Sequence, residues 1–371
     1  MIKKIILVII TLSLMVIPLT PVQAQSQSTQ GVLLNDSVTT SFPNSIEFNL
    51  TITSDDDIRD ARLHYIVEYE SFSSIIHEVI VDVPLSSSDT INISWTWDMR
   101  TTGTLPSGTI IHYWWSVVDE GGNYSETQIK DFSFDDTNYV WNSINRSNIT
   151  LYWYYGDASF AEELMRTCQN ALIRLGEDTG ACLEDPIRIY IYSSSFALRN
   201  AMVYPKEWTG GVAYPAYSAI AIGISRSNLE WGKRALAHEL AHLVTYQMTS
   251  NPYNNIPVWL DEGISMYAEG EMEHSYESYL EQAADDDTLI SVQSLCSPFS
   301  AYSDKSYLSY AESYSIVAFL IEEYGQQKMH ELLNVFKSGS TYDNALLTVY
   351  GFDSGGLNDI WQDYIRNVYL S

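Results

Sequence analysis

The chain has 371 residues, 46% hydrophobic and 18% charged, which is long enough for two domains with substantial cores. Its formal net charge of −28 repels nucleic acid and anionic membrane surfaces, so neither is expected as a partner. The three cysteines, Cys168, Cys182 and Cys296, fit no zinc–thiolate spacing. In an oxidising compartment Cys168 and Cys182 could pair and leave Cys296 free.

The first element in chain order is a targeting segment. Lys3 and Lys4 precede an apolar run from Ile5 to Leu19, then Pro18, Pro21 and the small-residue ending Val22-Gln23-Ala24. That is the layout of a secretory signal, residues 1–24, with cleavage after Ala24 and an extracytoplasmic destination. The run is short for a stable span, and an uncleaved N-terminal anchor is the alternative. No later segment is apolar for long enough to insert in a bilayer. Without the signal, 17 basic residues face 47 acidic ones, a net of −30.

Residues 31–137 alternate apolar and polar side chains. Strands are predicted at Ser45–Thr53, Arg62–Tyr69, Ile75–Val83, Thr90–Trp97, Thr109–Val118 and Thr127–Phe134. Turn clusters such as Ser86-Ser87-Ser88-Asp89 and Glu120-Gly121-Gly122-Asn123 separate them. Short strands at this density predict an immunoglobulin- or fibronectin-like all-β sandwich, fitted to binding or spacing. Residues 138–371 change texture. Strands are predicted at Asn148–Tyr155, Ile187–Tyr192 and Ser218–Ile224, with a helix over Ala158–Leu175. From Leu229 onward nearly everything is helical: 229–249, 257–270, 275–285, 305–324, 326–337, 341–350 and 357–369. The whole is a multidomain chain, an N-terminal sandwich followed by an α+β, mainly helical domain.

The chemistry lies in this second part. His238 and His242 are four residues apart in a helical stretch, so both imidazoles leave one face and can meet one tetrahedral zinc ion. Glu239 sits at the edge of that face, within reach of a metal-activated water but not of the metal. After His242, Pro257-Val-Trp-Leu-Asp-Glu-Gly-Ile-Ser opens a new helix, with Pro257 suited to its first turn and Glu262 twenty residues beyond His242. Glu262 in that block is the third ligand, which leaves the fourth position open, as catalysis requires. Glu269, nearly two turns after Glu262, shares its face and is an acceptor for the other nitrogen of His238; Asp261 is the alternative. An inactive zinc-domain protein acting as an extracellular adhesion module is the rival reading. The intact ligand and base positions argue against it.

The blocks 238–242 (His-Glu-Leu-Ala-His) and 257–270 resemble the gluzincin metallopeptidases, which include thermolysin and the aminopeptidase N-like enzymes. Residues 138–371 resemble more closely the peptidase-MA-like domains of exported proteins. Softer likenesses lie at 310–325, 345–351 and 357–365, and residues 112–123 are similar to the sandwich that often precedes such domains. The resemblance implies a zincin-like fold, a zinc cofactor and a peptide or protein substrate. It also implies that a tyrosine steadies the oxyanion: Tyr310, with Tyr314 second. One departure stands out. The aminopeptidase relatives carry an acid on the strand before the zinc helix that grips the substrate's free amine. Here Gly210-Gly211-Val212-Ala213-Tyr214 has none, which favours an endopeptidase. Gly211, Val212 and Ala213 could still pair with an extended substrate.

Overall fold

The computed structural model describes residues 32–370 apart from 71–76, 86–89, 254 and 301. The signal segment 1–24, the start of the strand expected at Ile75 and the turn Ser86–Asp89 lie outside the described residues.

Alternation along the N-terminal part makes two antiparallel sheets. One has the order β1 (Val32–Ser41), β2 (Ser45–Ser54), β5 (Thr90–Asp98). The other runs β4 (Val79–Asp82), β3 (Ile58–Val67), β6 (Thr109–Asp119), β7 (Tyr124–Glu126), with β8 (Lys130–Phe134) also pairing β6. The short helix α1 (Met99–Thr102) follows β5. Every second residue of β2 (Ile46, Phe48, Leu50, Ile52) and of β6 (Ile111, Tyr113, Trp115, Val117) enters one core between the sheets. The expected strand Thr127–Phe134 is broken, because Thr127 Oγ1 accepts the Trp115 N–H and interrupts the ladder. β1 was not foreseen: as an edge strand it exposes Leu33, Asn35 and Ser37 and gives a weak apolar signal.

The second part opens on a mixed sheet with the order β12 (Gly211–Tyr214), β13 (Ala219–Gly223), β11 (Ile187–Tyr192), β10 (Ile149–Trp153), β9 (Asn142–Arg146). β10, β11 and β13 run parallel, and antiparallel β9 and β12 close the two edges. The polar strand β9 was also unforeseen. Helix α2 (Ala158–Thr179) is capped by the Asp157 carboxylate and ends at Gly180, whose φ of 71° is the left-handed C-terminal geometry. Cys168 is buried on its core face, while Cys182 is exposed beyond Gly180; all three thiols are free, so Cys168 and Cys182 do not pair. Helices α3 (Ser195–Asn200), α4 (Leu229–Thr249), α5 (Val258–Ala268), α6 (His274–Asp285), α7 (Ser303–Tyr324), α8 (Gln326–Lys337), α9 (Tyr342–Val349) and α10 (Ser354–Leu370) follow. They enclose a second core with the sheet. Among the described residues, no helix is long and apolar enough to cross a membrane.

The two cores meet at Tyr190 and Tyr192 of β11, which are buried with the N-terminal sheets. The Tyr192 hydroxyl donates to Asp136 at 3.1 Å, and Arg188 donates to the carbonyl of Gly108.

Candidate metal and catalytic site

Helix α4 supplies two imidazoles because Leu236, Leu240 and Leu243 are buried and anchor its opposite face. α5 crosses α4 and also packs against α7. Pro257 stands at its N-cap rather than inside its first turn, and its carbonyl accepts from Leu260 and Asp261. Gly263 makes the α5–α7 approach close: a Cβ there would lie 2.4 Å from the Ser313 carbonyl oxygen.

This packing brings three candidate ligands together. Glu262 Oε2 lies 3.4 Å from His238 Nε2 and 3.6 Å from His242 Nε2, and the three donor atoms all fall within 4.8 Å of one another. Glu262 Oε2 is a buried carboxylate oxygen with no hydrogen-bond partner among the described residues. A cation between these atoms would satisfy it, so the residues fit a metal ion of the kind bound by two imidazoles and a carboxylate.

The opposite nitrogens are held by acids. His238 Nδ1 is 2.9 Å from Glu269 Oε1; His242 Nδ1 is 3.1 Å from Asp261 Oδ2 and 3.1 Å from the Ser265 hydroxyl. Asp261, the expected alternative partner of His238, therefore belongs to His242, because it sits two turns before Glu269 on α5. Ser265 was missed, although its place one turn after Asp261 on the same helix face could have revealed it. Arg234 also escaped notice; it lies 3.4 Å from Glu269 and 3.1 Å from Glu273.

Burial lowers the basicity of both imidazoles, but the acids outweigh it: His238 is raised by Glu262 and Glu269, and His242 to about 9 by Asp261 and Glu262. Burial also works to raise Glu262, and the two imidazoles more than offset it, holding it below the usual carboxylate range. Glu239 is raised by burial against the pull of His238 and His242. Its carboxylate faces the Ala213 N–H, and a Cβ on Gly211 would stand 2.8 Å from its Oε1. β12 is thus pressed against Glu239, at the open edge of its sheet.

A cleft of about 560 Å³ opens beside His238 and Glu239, lined among others by Gly211, Val212, Glu269 and Tyr310. Tyr310 meets the His238 ring at a steep angle of 62°, with centroids 6.4 Å apart. Burial, then Glu262, pushes its pKa up, so its hydroxyl keeps a proton to donate. Tyr314 faces elsewhere, against Tyr267 in a separate cavity with Arg174 and Glu322.

A sequence profile described as the Peptidase MA superfamily matches residues 167–367. No curated protein matches the chain. Among solved structures, an aminopeptidase N family protein from Idiomarina loihiensis is similar at 12% identity and a TM-score of 0.38, over 89% of this chain and 75% of that one. Legionella pneumophila aminopeptidase A is similar at 12% identity and a TM-score of 0.42, over 89% of this chain and 49% of that one. A carbohydrate-binding module of family 56 is similar over 27% of this chain and 96% of its own length, at 14% identity and a TM-score of 0.17.

Proposed function

This chain belongs to the Peptidase MA superfamily, and we propose that it is a secreted zinc metallopeptidase that cuts within peptide or protein chains. The carrying observation is the triangle of His238 Nε2, His242 Nε2 and the unpartnered Glu262 Oε2, beside the half-buried Glu239. The nitrogen and oxygen donor set favours zinc.

A zinc ion held by His238, His242 and Glu262 supplies Lewis acidity and a water acidified toward neutrality. Glu239 takes the proton from the attacking water and delivers it to the leaving amide nitrogen. Tyr310 donates its hydroxyl to the developing oxyanion. Glu269 and Asp261 fix the orientation of the two imidazoles through their Nδ1 atoms. The Gly210 carbonyl accepts the Gly223 N–H, so alternation turns the N–H and C=O of Gly211 and the C=O of Ala213 to the open edge of β12, where an extended substrate could pair, while the Ala213 N–H faces Glu239.

Cleavage inside a chain is supported by the lack of an acid on β12. Besides Glu239, the proposed base, the cleft acids are Glu269 and Glu273: Glu269 is held by His238 and Arg234, and Glu273 lies against Arg234. The immunoglobulin-like reading of the N-terminal sheets and the signal at 1–24 complete the proposal.

The test is cleavage of a proteome-derived peptide library with and without chelator, repeated with Glu239→Gln. The variant should keep zinc and lose about 10²- to 10⁴-fold in turnover. Wild-type-like cleavage by the variant would sink the assignment of the base.

A further inference from the structure

The cleft's wall on the side of β12 is not built by the C-terminal helices. It is the segment 201–210, between α3 and β12, and it starts inside the N-terminal core. Ala197, Leu198 and Ala201 are buried among the residues of the two N-terminal sheets, and Met202 and Val203 pack against them. The Val203 N–H donates to Thr104 Oγ1 at 2.9 Å, across 99 residues of sequence. Arg100, on α1, lies within electrostatic reach of Tyr204. From there the segment becomes cleft lining: Tyr204, Lys206 and Trp208 face the same space as His238 and Glu239. Lys206 caps the Trp208 ring at 5.0 Å, and Arg199 holds the Thr209 carbonyl at 3.2 Å. Gly211 follows, pressed on Glu239.

One residue shows that this course is imposed. Tyr204 has a φ of 52°, in the left-handed region that a bulky side chain adopts only where its surroundings hold it. Tyr204 is 79% exposed, so burial does not hold it there. Its neighbour Val203 is the residue bonded to the Thr104 hydroxyl.

We propose that Thr104 is a positioning residue: through Val203 the N-terminal sheet pair holds the 201–211 wall, and with it β12, in register with Glu239. For its effect on substrate this rests on the peptidase reading above. Breaking the bond leaves the Val203 N–H unsatisfied and loosens a wall that touches substrate away from the scissile bond. KM therefore moves more than kcat.

The experiment uses the full chain, Thr104→Val and Thr104→Ser, each checked for unchanged melting temperature and zinc content. Amide hydrogen exchange is read first, because it needs no activity. Thr104→Val should speed exchange through 202–213 by about tenfold, and Thr104→Ser, which keeps the hydroxyl, should restore it. Unchanged exchange in Thr104→Val, or no rescue by serine, overturns the proposal. On a cleaved peptide spanning the cleft, KM should rise about fivefold with kcat within about twofold. Faster exchange with unchanged KM would overturn the positioning role. If the wild type cleaves no peptide, the peptidase reading fails and the exchange result alone decides the role of Thr104.

Discussion

Gly211→Ala asks whether Glu239 works from the position it occupies. The added Cβ would stand 2.8 Å from Glu239 Oε1 and 3.0 Å from its Cγ, whereas ordinary contact begins near 3.4 Å. Either the carboxylate or β12 must retreat by about half an ångström in a close-packed setting. Gly211 is not among the glycines with positive φ, so alanine itself is unstrained there and the effect is confined to the contact. A general base contributes roughly 10²- to 10⁴-fold, and a misplacement of about 1 Å can cost about 10²-fold. Half that displacement implies a drop of about tenfold in kcat/KM. The metal ligands are untouched, so zinc content and melting temperature should match the wild type. The assay is kcat/KM on the best-cleaved library peptide, with zinc measured by atomic absorption on the same samples. Wild-type kcat/KM would refute the idea that Glu239 acts against β12. Joint loss of zinc and activity would show that the perturbation spread to the ligands and that the reasoning about its locality was wrong.

Other consequences concern the acids. Glu269→Gln removes the charge at His238 Nδ1 and should weaken zinc binding about 10-fold or more, read by competition with a chromophoric chelator; unchanged affinity would dismiss Glu269 as an orienting group. Glu312 on α7 is fully buried, with Oε1 accepting the Ile290 N–H at 2.9 Å and Oε2 without a hydrogen-bond partner among the described residues. Burial pushes its pKa from 4.5 up to about 8. The stability tied to its neutral form is therefore whole below pH 4.5 and is lost as pH rises through about 8, at up to about 1.4 kcal/mol per pH unit. Glu312→Gln stays neutral, so its melting temperature relative to the wild type should climb from pH 5 to pH 8 and then level. A difference that stays flat across that range would show that Glu312 does not titrate there.

What could be read from the sequence was whatever depends on short spacing. His238, His242 and Glu239 follow from one helical turn, and Glu262 from a second helix opening at Pro257. Their geometry needed only the α4–α5 crossing. Ser265 and Arg234 were harder, because a serine or arginine on a helix has many uses and only the distances to His242 and Glu269 distinguish these two. Asp261 stands in the sequence only as the alternative to Glu269 at His238, and its place at His242 is hidden for a related reason: the sequence gives its face on α5, but not the rotation of that helix against α4. The edge strands β1 and β9 were hidden by their polarity. The wall at 201–210 was invisible, since its course depends on Thr104, about a hundred residues earlier.

The contact at Gly263 reaches beyond the helix that contains it. Glu262 is its immediate neighbour, and the opposing carbonyl of Ser313 belongs to the helix that carries Tyr310. The separation between a candidate ligand and a candidate oxyanion donor is thus gauged by backbone against backbone, with no rotamer between them to take up slack. Side chains around the cleft can exchange and adapt, while the span across the reacting centre keeps a tight tolerance set by the absence of a single methyl group.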